Sequence, residues 1–387
     1  MFRKNILIYG ATGSIGNSVL NLIRNNKEQF NVVGITCNSN IDKLLDIAHE
    51  FECNNLGINN EKIIKNNPKL KDYTVHVGLD EFFKLMNSNV DIIIFAIAGS
   101  SPLNLLLDLS TSGKIIGMVN KECIICLGKT LLDIASKSST EIVPLDSEHN
   151  ALFQLMKNKN RDSIRKYTIT ASGGNFFNLN KTEMKKNTPA QAISHPKWEM
   201  GKKISVDSST LMNKGLEIIE ACILFNINSD KIDAIIHPES IIHGIIEFND
   251  RSSHAFLSQP NMEIAISSVL FDENIINLEN HNLDLIKIKS LNFFEIDSNK
   301  FNAIKLAKFS LNEGGLLPAV LNYSNELMVQ LFLNKQISFN EITLNNEIIM
   351  NKFLADGCNI HTPTIVDLTN TFKIIDSYAL TNQSIID

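Results

Sequence analysis

Between Asn5 and about Leu145 the chain alternates short, apolar, β-branched runs with segments of helical period, and no other feature constrains the fold as much. The runs NILIYG, FNVVGITC, DIIIFAI, KIIGMV and EIVPL read as strands, and apolar-periodic segments such as SVLNLIRNN and DKLLDIAHEF lie between them. Such alternation predicts an α/β fold, a parallel sheet with helices on both faces. The first strand ends in GATGSIG, Gly10 to Gly16, and a helix follows directly. Glycines at that turn let the backbone approach a pyrophosphate, whose charge then meets the helix N-terminus. Strand, turn and helix are in register, so nucleotide binding is expected although the spacing is a GxxGxxG variant. An acid at the end of the second strand would bind the ribose 2′-OH of NAD. The chain reads Thr36-Cys37-Asn38-Ser39-Asn40 there, with no acid. Neutral donors accommodate a 2′-phosphate, which favours NADP.

At 387 residues two or three domains are expected. A hydrophobic content of 44% with 20% charged residues fits a soluble globular protein, and no apolar run approaches the roughly 18 residues of a membrane span. The net charge of −6 provides no basic footprint for nucleic acid, so a small-molecule ligand is the expectation. The start MFRKNILIYG enters a strand at once, without a signal or transit pattern, which reads as cytoplasmic. Six cysteines are scattered, and Cys123 and Cys126 read as core thiols on a helix rather than a redox or metal pair.

Three stretches carry chemistry. VNKE, Val119 to Glu122, follows a strand, where ligands of a doubly wound sheet sit, and makes Asn120 and Lys121 site candidates; a turn with a solvated lysine is the alternative. In PLDSEHNALFQ, Asp146 and Glu148 fall two residues apart at the end of an extended segment and so on one side, with Ser147 opposite or turned toward the next helix. Paired carboxylates suit Mg²⁺ or Mn²⁺; a helix cap formed by Asp146 or Ser147 is compatible with that role. The richest stretch is HPKWEMGKKISVDSSTLMNKGLEIIE, His195 to Glu220, with the chain's only Trp, Trp198. Met212, Leu216, Ile219 and Ile223 define an apolar helix face and leave Asn213, Lys214 and Glu217 on a polar stripe. Ser208 and Ser209 are N-cap candidates, and a helix N-terminus beside a hydroxyl, an amide and an ammonium suits a phosphate. An amphipathic helix with a solvated face is the alternative.

The region from about 147 to 271 also holds KYTITASGGNF, with Ser172 beside two glycines, and KIDAIIHPES, SIIHGIIEFND and SSHAFLSQP, expected as antiparallel strands with a turn at Asn249-Asp250. His237 and His243 read as satisfied core or interface histidines. From about Phe271 to Lys300 the pattern loses its period, which suggests a linker. KFNAIKLAKFSLNEGG, PAVLNYSNELMVQLFLNKQ and PTIVDLTNTFKIIDSYAL then read as helices of a small bundle.

In order along the chain, GATGSIG, NKE, PLDSEHNALFQ, ASGGNF, HPKWEMGKKISVDSSTLMNKGLE, HPESIIH and EGGLLPAVLNYSNE resemble the 1-deoxy-D-xylulose 5-phosphate reductoisomerase family. The resemblance implies an NADPH-binding Rossmann-like domain over 1–146, an α+β catalytic and dimerisation domain over 147–271, a linker over 272–299 and a helical domain over 300–387. It implies homodimers, a phosphorylated sugar substrate, and rearrangement followed by reduction. Metal ligands are carried onto Asp146, Glu148 and Glu217, and substrate contacts onto Lys121, Ser147, Ser172, His195, Ser208, Asn213 and Lys214, the phosphate falling to Ser172, Ser208, Asn213 and Lys214. Cofactor contacts are carried onto Gly10, Thr12, Gly13, Ser14, Ile15, Asn38, Ser39, Asn40, Asn120, Glu122 and Gly201. His195 to Met200 would form a lid, with Trp198 over the substrate. The family often has a basic residue where this chain has Ser39. A metal-assisted NADP dehydrogenase of a phosphorylated polyol and a catalytically silent sugar-phosphate or nucleotide-binding regulator are the alternatives.

Overall fold

The computed structural model describes residues 3–64, 67–79, 82–83, 89–184, 186–194, 201–271, 278 and 282–386. They form two units: residues 1–123, 129–150 and 261–281, and residues 124–128, 151–260 and 282–387. Among the described residues no helix is long and apolar enough to cross a membrane.

The first unit is built on seven parallel strands: β1 (Lys4–Tyr9), β2 (Phe30–Cys37), β3 (Asn55–Ile58), β4 (Thr74–Val77), β5 (Ile92–Phe95), β6 (Ile115–Met118) and β7 (Glu141–Pro144). Their order is β4-β3-β2-β1-β5-β6-β7, so the sheet changes direction between β1 and β5. The register runs from Ile6 opposite Ile92 to Tyr9 opposite Phe95. Helices on both faces bury these central strands, which is why Ile92–Phe95 is wholly apolar and wholly buried. In such a sheet a ligand sits beyond the carboxyl ends of the strands at the switch point, between the turns after β1 and β5. The expected strands are all present; β3 and β4 are additional, too short and too polar at their ends to show a period. The helix Met262–Leu270, which the sequence assigned to the catalytic region, belongs to this unit. Phe271 meets Phe30 edge-on at 5.0 Å, and Lys4 Nζ donates to Leu270 O at 3.2 Å.

The second unit has four strands, β8 (Ile164–Ala171), β9 (Ile232–Ile236), β10 (Ile242–Phe248) and β11 (Ser253–Leu257), in the order β11-β10-β8-β9. β10 and β11 are antiparallel as expected, but β9 runs parallel to β8. The helix Met212–Phe225 crosses over between β8 and β9, and a crossover of that length is what parallel pairing requires. On one face of the sheet, Leu152 and Met156 join Ile218, Ala221 and Phe225 of that helix over Tyr167, Ile169, Ile232 and Ile246. Helices Ala303–Glu313, Leu317–Leu333, Phe339–Ala355 and Ile365–Ile386 complete the unit. The third of these went unread in the sequence because its polar asparagines, Asn345 and Asn346, fall on its buried side. Gly215 permits close packing here: a Cβ would come within 2.9 Å of Ala303 O. His237 and His243 are buried as expected, and His237 Nδ1 lies 2.8 Å from Asn292 O while its ring stacks on Phe293.

Candidate active site

The turn after β1 is fixed by backbone geometry. Gly10 has φ +84°, and a Cβ there would lie 2.6 Å from Ala96 O, in the chain leaving β5. Thr36 Oγ1 accepts from Gly10 N at 3.0 Å, and Gly13 N donates to Gly10 O at 3.1 Å. The helix Ser14–Arg24 starts directly behind, with Gly13 at its N-cap and no side-chain capping hydrogen bond among the described residues. Those groups, with exposed Gly13 and Ser14, make a cradle that fits a pyrophosphate. Asn38, Ser39 and Asn40 are exposed after β2, and Asn40 Oδ1 caps the helix Ile41–Glu50 by accepting from Lys43 N at 3.2 Å. Lys43 escaped the sequence reading: it stands outside the strand end, yet its Nζ reaches back to Thr12 O at 2.9 Å. One turn into a helix after β2, a lysine is within reach of that loop, and this was the signal available.

Asn120 is buried and ties two loops together. Its Oδ1 accepts from Cys123 N at 2.7 Å, capping the helix Lys121–Lys137, and its Nδ2 donates to Ile97 O at 2.6 Å and Gly99 O at 2.8 Å. Losing such a cap costs about 1 kcal/mol. Lys121 is no solvated turn lysine: buried, it pairs with Asp146 at 2.7 Å. Glu122 is buried beside it. The strand β7 stops at Pro144 and Asn150 N donates to Asp146 O, so Ser147 opens the helix Ser147–Met156 and Glu148 lies in its first turn. The expected extended placement of Asp146 and Glu148 is therefore replaced by a helix start, and Ser147 Oγ donates to Glu148 Oε2 at 2.6 Å. Cys123 and Cys126 are buried on their helix, as read from the sequence, and none of the six cysteines is in a disulfide.

In the second unit, Ser208 and Ser209 do not cap the helix Met212–Phe225. They end the preceding helix, Lys202–Ser209, and Leu211, at φ +59°, turns the chain into the next. Thr210 Oγ1 takes the capping role, accepting from Met212 N at 3.2 Å. A solvated face is excluded, since Lys214 and Glu217 are both buried. Asn213 Nδ2 and Lys214 Nζ both donate to the Glu217 carboxylate. Removing one partner from a buried pair of this kind costs about 3–5 kcal/mol. Gly174, at φ +63°, allows the turn that follows Ser172 to lie against this junction: a Cβ would come within 2.7 Å of Ser208 O. Ser172, Ser208, Asn213 and Lys214 thus belong to one turn and one helix junction of this unit. Gly201 is exposed and caps the helix Lys202–Ser209. His195 and Trp198, with the rest of the expected lid, lie outside the described residues.

Matching family models cover most of the chain: 1-deoxy-D-xylulose 5-phosphate reductoisomerase over residues 6–128, the C-terminal domain of that enzyme over 142–225, and the DXP reductoisomerase C-terminal domain over 257–375. The chain belongs to the 1-deoxy-D-xylulose 5-phosphate reductoisomerase family. The Clostridium perfringens (strain 13 / Type A) enzyme of that name is 39% identical over 359 residues, which is 90% of this chain and 93% of the relative. That of Sulfurihydrogenibium sp. (strain YO3AOP1) is 41% identical over 338 residues, 87% of each. Among solved structures, the Zymomonas mobilis reductoisomerase in complex with NADPH covers 100% of both chains at 33% identity with a TM-score of 0.89. A DOX-P reductoisomerase in complex with NADPH, fosmidomycin and magnesium covers 99% of both at 30% identity with a TM-score of 0.92. The seven-stranded parallel sheet and the helical C-terminal region agree with that architecture.

Proposed function

We propose that this chain converts 1-deoxy-D-xylulose 5-phosphate to 2-C-methyl-D-erythritol 4-phosphate, using NADPH and a divalent metal. The observation that carries the reading is the three reductoisomerase family matches, in order along residues 6–375, on a chain that keeps its carboxylates, hydroxyls and lysines. The alternatives, a polyol phosphate dehydrogenase without rearrangement and a silent regulator, draw no such support.

Asp146, Glu148 and Glu217 would hold the metal. Their chemistry fits, being three oxygen donors suited to Mg²⁺, each oriented by a donor of its own unit: Lys121, Ser147, and the Asn213–Lys214 pair respectively. When bound, magnesium supplies Lewis acidity for the carbon–carbon rearrangement, and NADPH supplies the hydride that reduces the resulting aldehyde. Ser172, Ser208, Asn213 and Lys214 take the phosphate, whose binding energy positions the reacting carbons. Lys121 and Ser147 contact the reacting end of the substrate, and His195 and Trp198 cover it. Thr12 to Ile15 would hold the pyrophosphate of the cofactor, with Gly10 keeping the approach open, and Asn120, Glu122 and Gly201 would be further cofactor contacts. Asn38, Ser39 and Asn40 would face the 2′-phosphate, and Lys43 would supply the charge that Ser39 lacks.

The reading includes a cytoplasmic homodimer, supported by the edge strand β11, whose side chains Ser253, His254, Ala255 and Leu257 are exposed. NADPH oxidation with 1-deoxy-D-xylulose 5-phosphate, with and without Mg²⁺, tests the activity, and carbon-skeleton analysis of the product separates rearrangement from simple reduction. Reduction without a branched product would refute it.

A further inference from the structure

A buried polar chain runs through the second unit behind the phosphate residues. Asp207, 1% exposed, sits next to Ser208 on the helix Lys202–Ser209. Its Oδ1 accepts from Asn325 Nδ2 at 2.7 Å, and its Oδ2 pairs with Lys203 Nζ at 3.0 Å. Asn325 Oδ1 accepts from Asn346 Nδ2 at 3.1 Å. Asn325 lies on the helix Leu317–Leu333 and Asn346 on Phe339–Ala355, and both are 0% exposed. The polarity of the chain has one solution. A carboxylate only accepts, so Asn325 must turn its NH₂ to Asp207, which leaves its oxygen for the NH₂ of Asn346.

Packing alone does not account for these residues. Apolar side chains of similar volume would hold the three helices together without desolvating a carboxylate and two amides, and such replacements are often neutral or stabilising. What the polar chain adds is a fixed distance and direction: hydrogen bonds to a buried charge set the helix carrying Ser208 at one rotation and one height. On the other side Ser209 Oγ donates to Ala192 O at 3.2 Å, and the backbone at Gly174 lies against Ser208 O. We infer that Asp207, Asn325 and Asn346 are positioning residues that hold Ser208 in place for the substrate's phosphate. The inference rests on the assignment of Ser208 to that phosphate.

The test uses the full-length protein with Mg²⁺ and NADPH, with inorganic phosphate as the probe that needs no turnover. In Asn325→Ala, KM for 1-deoxy-D-xylulose 5-phosphate and the dissociation constant of inorganic phosphate should rise together by about tenfold, as expected for losing a hydrogen bond to a charge. KM for NADPH should stay within about twofold, the size of a change with no lost contact behind it. In Asn325→Asp two carboxylates face each other, and the affinity penalty should shrink as pH falls and one proton becomes shared; in Asn325→Ala it should not depend on pH. Asn346→Ala should act in the same direction more weakly, and decides the matter if the Asn325 variants do not fold. Unchanged phosphate affinity with a lowered melting temperature, or a pH-independent penalty in Asn325→Asp, would overturn the inference. A wild-type protein that binds phosphate but leaves deoxyxylulose phosphate unconverted would sink the proposed function instead, and the positioning role would still be judged on phosphate affinity.

Discussion

Replacing Gly16 with alanine probes the nucleotide turn at its tightest point. A Cβ at Gly16 would lie 2.5 Å from Ala11 O and 2.6 Å from the Ala11 carbonyl carbon and Cα, all of them backbone atoms. Ordinary contact begins at 3.4 Å, so helix and turn must separate by about 0.9 Å. Neither yields readily. Thr36 holds Gly10 N through its hydroxyl at 3.0 Å and Ala11 N through its carbonyl at 2.9 Å, while the helix is anchored by buried Val19, Leu20 and Ile23. Overpacking of this kind costs about 1–3 kcal/mol. The displaced groups are those proposed to meet the pyrophosphate, so the dissociation constant of NADPH should rise about 5- to 150-fold if that energy is lost on binding. Titration of NADPH fluorescence gives the constant, circular dichroism checks that the sheet survives, and phosphate affinity, which is proposed to depend on the other unit, serves as the internal control. An NADPH affinity within about twofold of wild type would refute the claim that the helix must approach this closely for binding.

Three further outcomes follow from the site. Glu217→Gln keeps shape but removes the charge of a proposed metal ligand, so turnover with Mg²⁺ should fall by orders of magnitude while NADPH affinity is kept; near-normal turnover would remove Glu217 from the metal set. Lys43→Ala should raise KM for NADPH about tenfold and leave KM for NADH unmoved, since only the former carries a 2′-phosphate, and equal changes in both would assign Lys43 to bracing Thr12 alone. Burial pushes the thiols of Cys37 and Cys53 up to about 11 and that of Cys222 to about 12. Below those values the unreactive thiol form dominates, so the native protein at pH 8 should resist iodoacetamide at buried Cys37 and Cys53 and react only slowly at half-buried Cys222, with full labelling appearing on unfolding; rapid labelling of any of them, read by peptide mass spectrometry, would contradict the raised thiol.

The α/β sheet was legible because its strands are buried on both faces and so write themselves as continuous apolar runs; β3 and β4, short and bordered by asparagines, write nothing of the kind. The parallel pairing of β8 with β9 was hidden for a different reason. Strand direction lives in the connection, and the residues of the crossover helix Met212–Phe225 carry no mark of where it delivers the chain. Its side chains show the limit of periodicity most clearly. Met212, Leu216, Ile219 and Ile223 predict one buried face and imply that the opposite stripe is wet, whereas Lys214, Glu217 and Glu220 are as buried as the apolar set. Period detects which residues are apolar; whether the polar remainder faces water depends on what the rest of the fold lays against it, and here the helix Ala303–Glu313, some 90 residues later in the chain, approaches closely enough for Gly215 to be needed.

The same distinction explains why the chemistry was easier to read than the geometry that supports it. Asp146, Glu148, Lys214 and Glu217 announce themselves because charged residues in otherwise apolar text are costly to bury and need a reason to be there. Asn325 and Asn346 give no such signal: an asparagine in a helix reads as a poor former or a surface residue, and only the folded structure shows both of them at 0% exposure in line with Asp207. Lys43 falls between the two cases, charged and in plain view, but assigned by proximity in sequence to a helix rather than by its 2.9 Å reach to the nucleotide turn. Residues that act on a ligand are constrained by reactivity, which the one-letter code records; residues that act through another residue are constrained by distance, which it does not.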